Sequence, residues 1–213
     1  MKNIFTFLFF VVMLFSCKQD KVEPDCIENL FFYTIEEQPS IPLTQFKKAI
    51  WIEFSDNAIN LEQARQIISK YDNLIIWESF RTNGDFSKVW VNISGDFDCK
   101  ILNQYLKKLN SDSDIIYATP IFGEPGNKYY TIITNEIITK PKEGIQKKYF
   151  ESMIHGFGLE IVKFSEYYYL LKVKDIKTGY EPVLLANKIF ESHKSEWSQP
   201  NFIIPIFFGK SIL

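Results

Sequence analysis

The hydrophobic pattern of this chain changes period several times, and each change marks an element. From Asn135 the run NEIITKPK is β-branched. It leads into a segment where Ile145, Tyr149, Phe150, Met153 and Ile154 recur at helical spacing. LEIVKFSEYYYLLKVKD then reads as two extended runs about a polar break at Ser165 and Glu166. A second helix opens at Pro182, a favourable first-turn residue, with Leu185, Ala186, Ile189 and Phe190 on one face. A last extended run covers Glu196 to Phe207. The order is strand, helix, strand, strand, helix, strand.

The same order is legible upstream. AIWIEF reads as a strand, and Asn60 to Gln63 has the form of a capping box before a helical face of Leu61, Ala64, Ile67, Ile68 and Tyr71. NLIIWESF and KVWVNI read as a strand pair. Ile101, Leu102, Tyr105, Leu106 and Leu109 mark a helix, and DIIYATPIF a final strand. Pro120 aligns with Pro200 at an offset of 80 residues, and Leu74 with Leu159 at 85, so the first copy carries the longer hairpin. The fold class is α+β, with two tandem ferredoxin-like βαββαβ units. Right-handed crossovers predict the strand order fourth, first, third, second in each. Residues 46–122 form the first unit and 128–207 the second, with the turn-rich GEPGN between them. Residues 30–45, with Pro39 and Pro42, read as an N-terminal β-hairpin at an edge.

The first 16 residues hold one lysine and an apolar run too short to span a bilayer comfortably, as in a signal peptide. Leu14-Phe15-Ser16-Cys17 resembles a bacterial lipobox, which implies lipid attachment at Cys17 and a polar tether over residues 17–29. Loss of Lys2 takes the formal charge from −2 to −3. A near-neutral, mixed-sign chain gives no basic patch, which argues against a nucleic-acid partner and leaves membrane attachment to the lipid. Cys26 and Cys99 remain, either as one disulfide or as two small buried side chains.

No catalytic constellation is present. His155 and His193 each close a helix, where the dipole accommodates an imidazole. The acidic residues are scattered among lysines. No phosphate loop, metal-site spacing or cofactor motif occurs. The expectation is a protein that is not an enzyme and carries no metal and no cofactor.

The phrases ITNEIITKPKEG, GLEIVK, YYYLLKVKD and LLANKIFESHKSEWSQPNF are similar to the propeptide domains that precede subtilisin-type serine proteases in secreted bacterial proteins. The resemblance covers Asn135 to Phe202. It implies a membrane-anchored propeptide-like module of the bacterial cell envelope, on the outer membrane or periplasmic face, that binds such a protease as inhibitor or folding helper. The alternative is a structural or adhesive lipoprotein, a remnant of a longer protease gene.

Alternation sets the surface this function would use. Val89, Val91 and Ile93 face the first core, leaving Lys88, Trp90 and Asn92 outward with Trp51. Tyr169, Leu171 and Val173 face the second core, leaving Tyr168, Leu170 and Lys172 outward with Val162 and Phe164. Both outer faces are too apolar for water, so each is covered inside the molecule or by a partner. In the resembling propeptides this face lies on two protease helices and the following segment runs along the cleft. That implies partner-binding roles for Phe164, Tyr168, Leu170 and Phe202, and for Phe207 and Phe208 in the tail.

Overall fold

A computed structural model of the chain describes residues 30–33, 40–57, 59–77, 86–95, 98–123 and 130–204. Over these described residues it is a mixed α+β structure with four helices and antiparallel strands. A two-stranded ladder, β1 (Phe31–Phe32) and β2 (Ile41–Pro42), comes first. Then follow β3 (Gln45–Phe54), α1 (Leu61–Ile68), β4 (Leu74–Ile76), β5 (Lys88–Ile93), α2 (Cys99–Leu109) and β6 (Ile115–Phe122). The second half repeats the order with β7 (Thr131–Pro141), α3 (Lys147–Gly156), β8 (Leu159–Phe164), β9 (Tyr169–Val173), α4 (Glu181–Glu191) and β10 (Ser195–Ile203).

Within the first half β3 lies between β5 and β6, and β4 pairs with β5. Within the second, β7 lies between β9 and β10, and β8 pairs with β9. Both halves therefore have the fourth, first, third, second order that right-handed crossovers impose. The halves do not keep separate sheets. Ile121 pairs with Ile132 and Phe122 with Thr131, joining β6 to β7 in one eight-stranded sheet.

Local chemistry sets the helix limits. Asn60 and Gln63 cap α1 reciprocally, each side chain accepting from the other's backbone N–H. The Asp98 carboxylate accepts from the Ile101 N–H at the start of α2. Glu181, the first residue of α4, accepts from the N–H groups of Lys177 and Thr178 and from the Thr178 hydroxyl. The periodic apolar residues Ala64, Ile68, Leu102, Leu106, Phe150, Ile154, Ala186 and Ile189 are buried.

Among the described residues two hydrophobic clusters form the interior, and each draws on both halves. One joins Ile50, Ile52, Val89, Val91, Leu102 and Leu106 to Ile133, Tyr180 and Val183. The other joins Trp51, Trp90 and Tyr117 to Tyr130, Ile132, Phe150 and Ile189. The N-terminal ladder lies against the second half. Phe32 packs on Phe202 at 4.9 Å, Tyr33 stacks on Phe190 at 4.6 Å, and the Asn187 amide donates to the Phe31 carbonyl at 2.8 Å.

Candidate partner-binding surface

The two outer sheet faces have different fates. On β3, Ile50, Trp51 and Ile52 are all buried, and so are Val89, Trp90 and Val91 on β5, so the middle of the first half is covered on both faces. The Trp90 ring meets Trp77 at 5.4 Å, Phe46 at 6.2 Å and Tyr130 at 5.3 Å, edge-on to the last. Tyr130 belongs to the second half, so that face is closed by the molecule itself.

On the second half the helix-free face stays half-exposed. β9 alternates strictly, with Tyr169, Leu171 and Val173 buried and Leu170 and Lys172 half-buried between them. Register sets their neighbours: Leu170 is opposite Ile138 of β7 and Lys163 of β8, and Lys172 is opposite Glu136 and Glu160. Beyond β7, Gln199 is opposite Ile138, and Trp197 is opposite Lys140, which pairs with Glu196 at 2.6 Å. The surface is thus an apolar centre of Ile138 and Leu170 within a rim of both charge signs. Tyr168, also half-exposed, continues it past the end of β9.

Phe164 is not part of this face. A β-bulge between Ile161 and Lys163 leaves Val162 unpaired and shifts the phase of β8, so Phe164 comes opposite Tyr169. Its ring lies 4.7 Å from Tyr169, beneath the Lys147 ammonium of α3 at 4.0 Å. The reason is visible in the residues. Apolar Leu159, Ile161, Val162 and Phe164 break strict alternation at Val162. Phe202 is half-buried and engaged with Phe32 inside the molecule. Phe207, Phe208, Cys17 and Cys26 lie outside the described residues. Cys99 is buried and disulfide-bonded. Trp197 was not among the expected surface residues; its place opposite Lys140 follows from a bulge between Ser195 and Trp197 that composition does not disclose.

Titratable groups converge away from this surface, beyond the C-terminal ends of α1 and α2. Lys70 pairs with Asp114 at 2.6 Å and Asp112 at 3.5 Å, and the Tyr71 hydroxyl donates to Asp112 at 2.7 Å. Burial works to raise the Asp112 carboxyl, but bonds from Tyr71 and the Asp114 N–H, with the Lys70 charge, bring it below its ordinary range. Burial and the bond to Asp112 push the Tyr71 hydroxyl up. A concavity of about 530 Å³ beside this cluster is lined by Tyr71, Tyr105, Lys107 and Lys108 among others. Elsewhere, burial and then the neighbouring Glu151 raise Tyr169 to about 12. Burial also raises Tyr180 to about 12, against a lowering bond from Gln45. His155 and His193 are exposed. Among the described residues no group of three or more His, Cys, Asp or Glu side chains could hold a metal ion, and no helix is long and apolar enough to cross a membrane.

No protein-family model matches the chain, and no curated protein matches it at a significant level. Among solved structures it is similar to the small subunit of acetolactate synthase from Thermotoga maritima. The identity is 12%, the TM-score 0.27, and the alignment covers 77% of this chain and 99% of that one. At that TM-score the likeness bears on neither fold family nor function.

Proposed function

We propose that the chain is a non-catalytic lipoprotein of two tandem ferredoxin-like units, anchored at Cys17, that binds a subtilisin-type serine protease through its second unit. The observation that supports this reading is the contrast between the two outer sheet faces. The first is spent on internal packing with Trp51 and Trp90 buried, whereas the second keeps Leu170, Ile138 and Tyr168 at the surface. An apolar centre with a charged rim has the build of a protein-binding patch. The similarity of Asn135 to Phe202 to protease propeptides names the class of partner. The tail after Ile204 would add to the protease cleft as an extended strand, with Phe207 or Phe208 entering an apolar pocket.

The test titrates residues 18–213, and the same body ended after Phe202, against a subtilisin-type protease from the same source. Slowed substrate cleavage by the longer chain, weakened by Leu170→Glu and by loss of the tail, is the expected result. Digestion of both without any slowing would exclude inhibition of that protease and leave a structural envelope lipoprotein as the better reading. Intact-mass measurement of the mature protein reads the lipid on Cys17 in the same preparation.

A further inference from the structure

β8 is an outer strand: it pairs with β9 on one side, and no described strand lies on the other. Such an edge offers a row of backbone donors and acceptors to another strand. Its side chains restrict which strand that is. Because Val162 is skipped in the register with β9, five residues keep alternation, and they are arranged symmetrically about Ile161. One place away on either side are Glu160 and Lys163, both on the open face. Two places away are Leu159 and Phe164, both on the helix side. Without the bulge Glu160 and Lys163 would point to opposite faces.

An antiparallel copy of β8 related by a two-fold axis through Ile161 would meet this edge with matched partners throughout. Ile161 would lie opposite its twin, Glu160 opposite Lys163 of the second copy, and Leu159 opposite Phe164, each of the last two pairs formed twice. The neighbouring symmetric registers fail. One centred on Glu160 sets two carboxylates opposite each other, and one centred on Lys163 sets two ammonium groups. We propose that a second copy of this chain adds to β8 in this antiparallel register, forming an isologous dimer.

Val162 is 50% exposed and Phe164 48% exposed, so the edge carries apolar area for such a contact to bury. A bulge and a lysine ordinarily protect an edge strand from its neighbours. Here the same two features select one partner, because only a strand with a carboxylate at the matching place neutralises Lys163. Glu160 already has Lys174 at 3.3 Å, but both side chains are about half-exposed, and that pair is solvent-screened and exchangeable. The other outer strands suit the role less. β4 has three residues, and β10 carries Pro200, which donates no hydrogen bond, and two register shifts.

The test uses the full chain in detergent solution and requires no protease. Sedimentation across a concentration series is expected to show a monomer–dimer equilibrium. Glu160→Lys and Lys163→Glu should each weaken it by roughly tenfold or more, since each reversal creates two like-charge pairs. The double variant Glu160→Lys/Lys163→Glu should regain the dimer. Ile161→Cys should cross-link to its twin on oxidation, because opposed Cα atoms in such a ladder lie about 4.5 to 5.5 Å apart, within disulfide reach. A chain that stays monomeric, a dimer indifferent to both reversals, or a double variant as weak as the singles would each overturn the proposal. Should a charge variant melt well below the wild type, the Ile161→Cys cross-link decides instead, its absence counting against the dimer.

Discussion

Gly179 sits where the β9–α4 connection meets β6. Its φ of +82° lies in the left-handed region, and a Cβ there would fall 2.6 Å from the Ala118 carbonyl oxygen and 3.0 Å from the Thr119 Cα. Those neighbours are backbone in a sheet and cannot give way cheaply. Gly144 has nearly the same φ, +81°, with open space around it. The pair separates conformational strain from collision. Gly144→Ala should cost about 1 to 2 kcal/mol, the left-handed penalty alone, and Gly179→Ala about 2 to 5 once overpacking is added. Denaturant melts of the two variants check this, and equal losses would mean that the connection is free to move off β6. Neither glycine's environment could be read from the sequence, because what surrounds Gly179 is a strand some 60 residues upstream. Phe164 differs in this respect. The doubled apolar pair Ile161-Val162 was in view, and a bulge there follows once strict alternation is seen to fail.

At the scale of elements the chain was largely legible, because helix positions depend on period and on caps, both local. The four amphipathic stretches became α1 to α4, and the capping box at Asn60 formed with both of its hydrogen bonds. Leu106 of α2 and Ile189 of α4 are both fully buried at comparable places in the two halves. Truncating either to alanine should cost about 2 to 5 kcal/mol, whereas Lys107→Ala, on the exposed side of the same turn as Leu106, should stay within about 0.5. Equal and small effects at all three positions in chemical unfolding would contradict this packing. What the pattern left hidden was the docking of the N-terminal ladder. Phe32 and Tyr33 rest on β10 and α4, more than 150 residues away, and no local periodicity encodes a contact at that separation.

The whole molecule departs most from a reading of two independent units in tandem. The turn-rich segment read as a boundary falls between β6 and β7, and those two strands pair with each other in one sheet. Tyr180 of the second half donates to Asn103 of α2 at 3.0 Å and accepts from Gln45 of β3, while the Thr119 hydroxyl donates to the Ile133 carbonyl at 2.8 Å. Trp51 and Trp90 lie in a cluster with Tyr130 and Ile132. Exposing both indoles would forfeit up to about 7 to 12 kcal/mol, taking 150 to 250 Å² for each and 25 cal/mol per Å². That is comparable with the whole stability of a domain, roughly 5 to 15 kcal/mol. Neither half can then lose its structure while the other keeps a closed core. Thermal unfolding of the disulfide-intact chain is expected as one transition, with calorimetric and van't Hoff enthalpies in agreement. A fragment ending at Gly123 should show no cooperative melt, since it retains the two indoles without the residues of the second half that cover them. Two resolved transitions in the intact chain, or a fragment that melts sharply by itself, would mean that the shared clusters are not what holds the halves together.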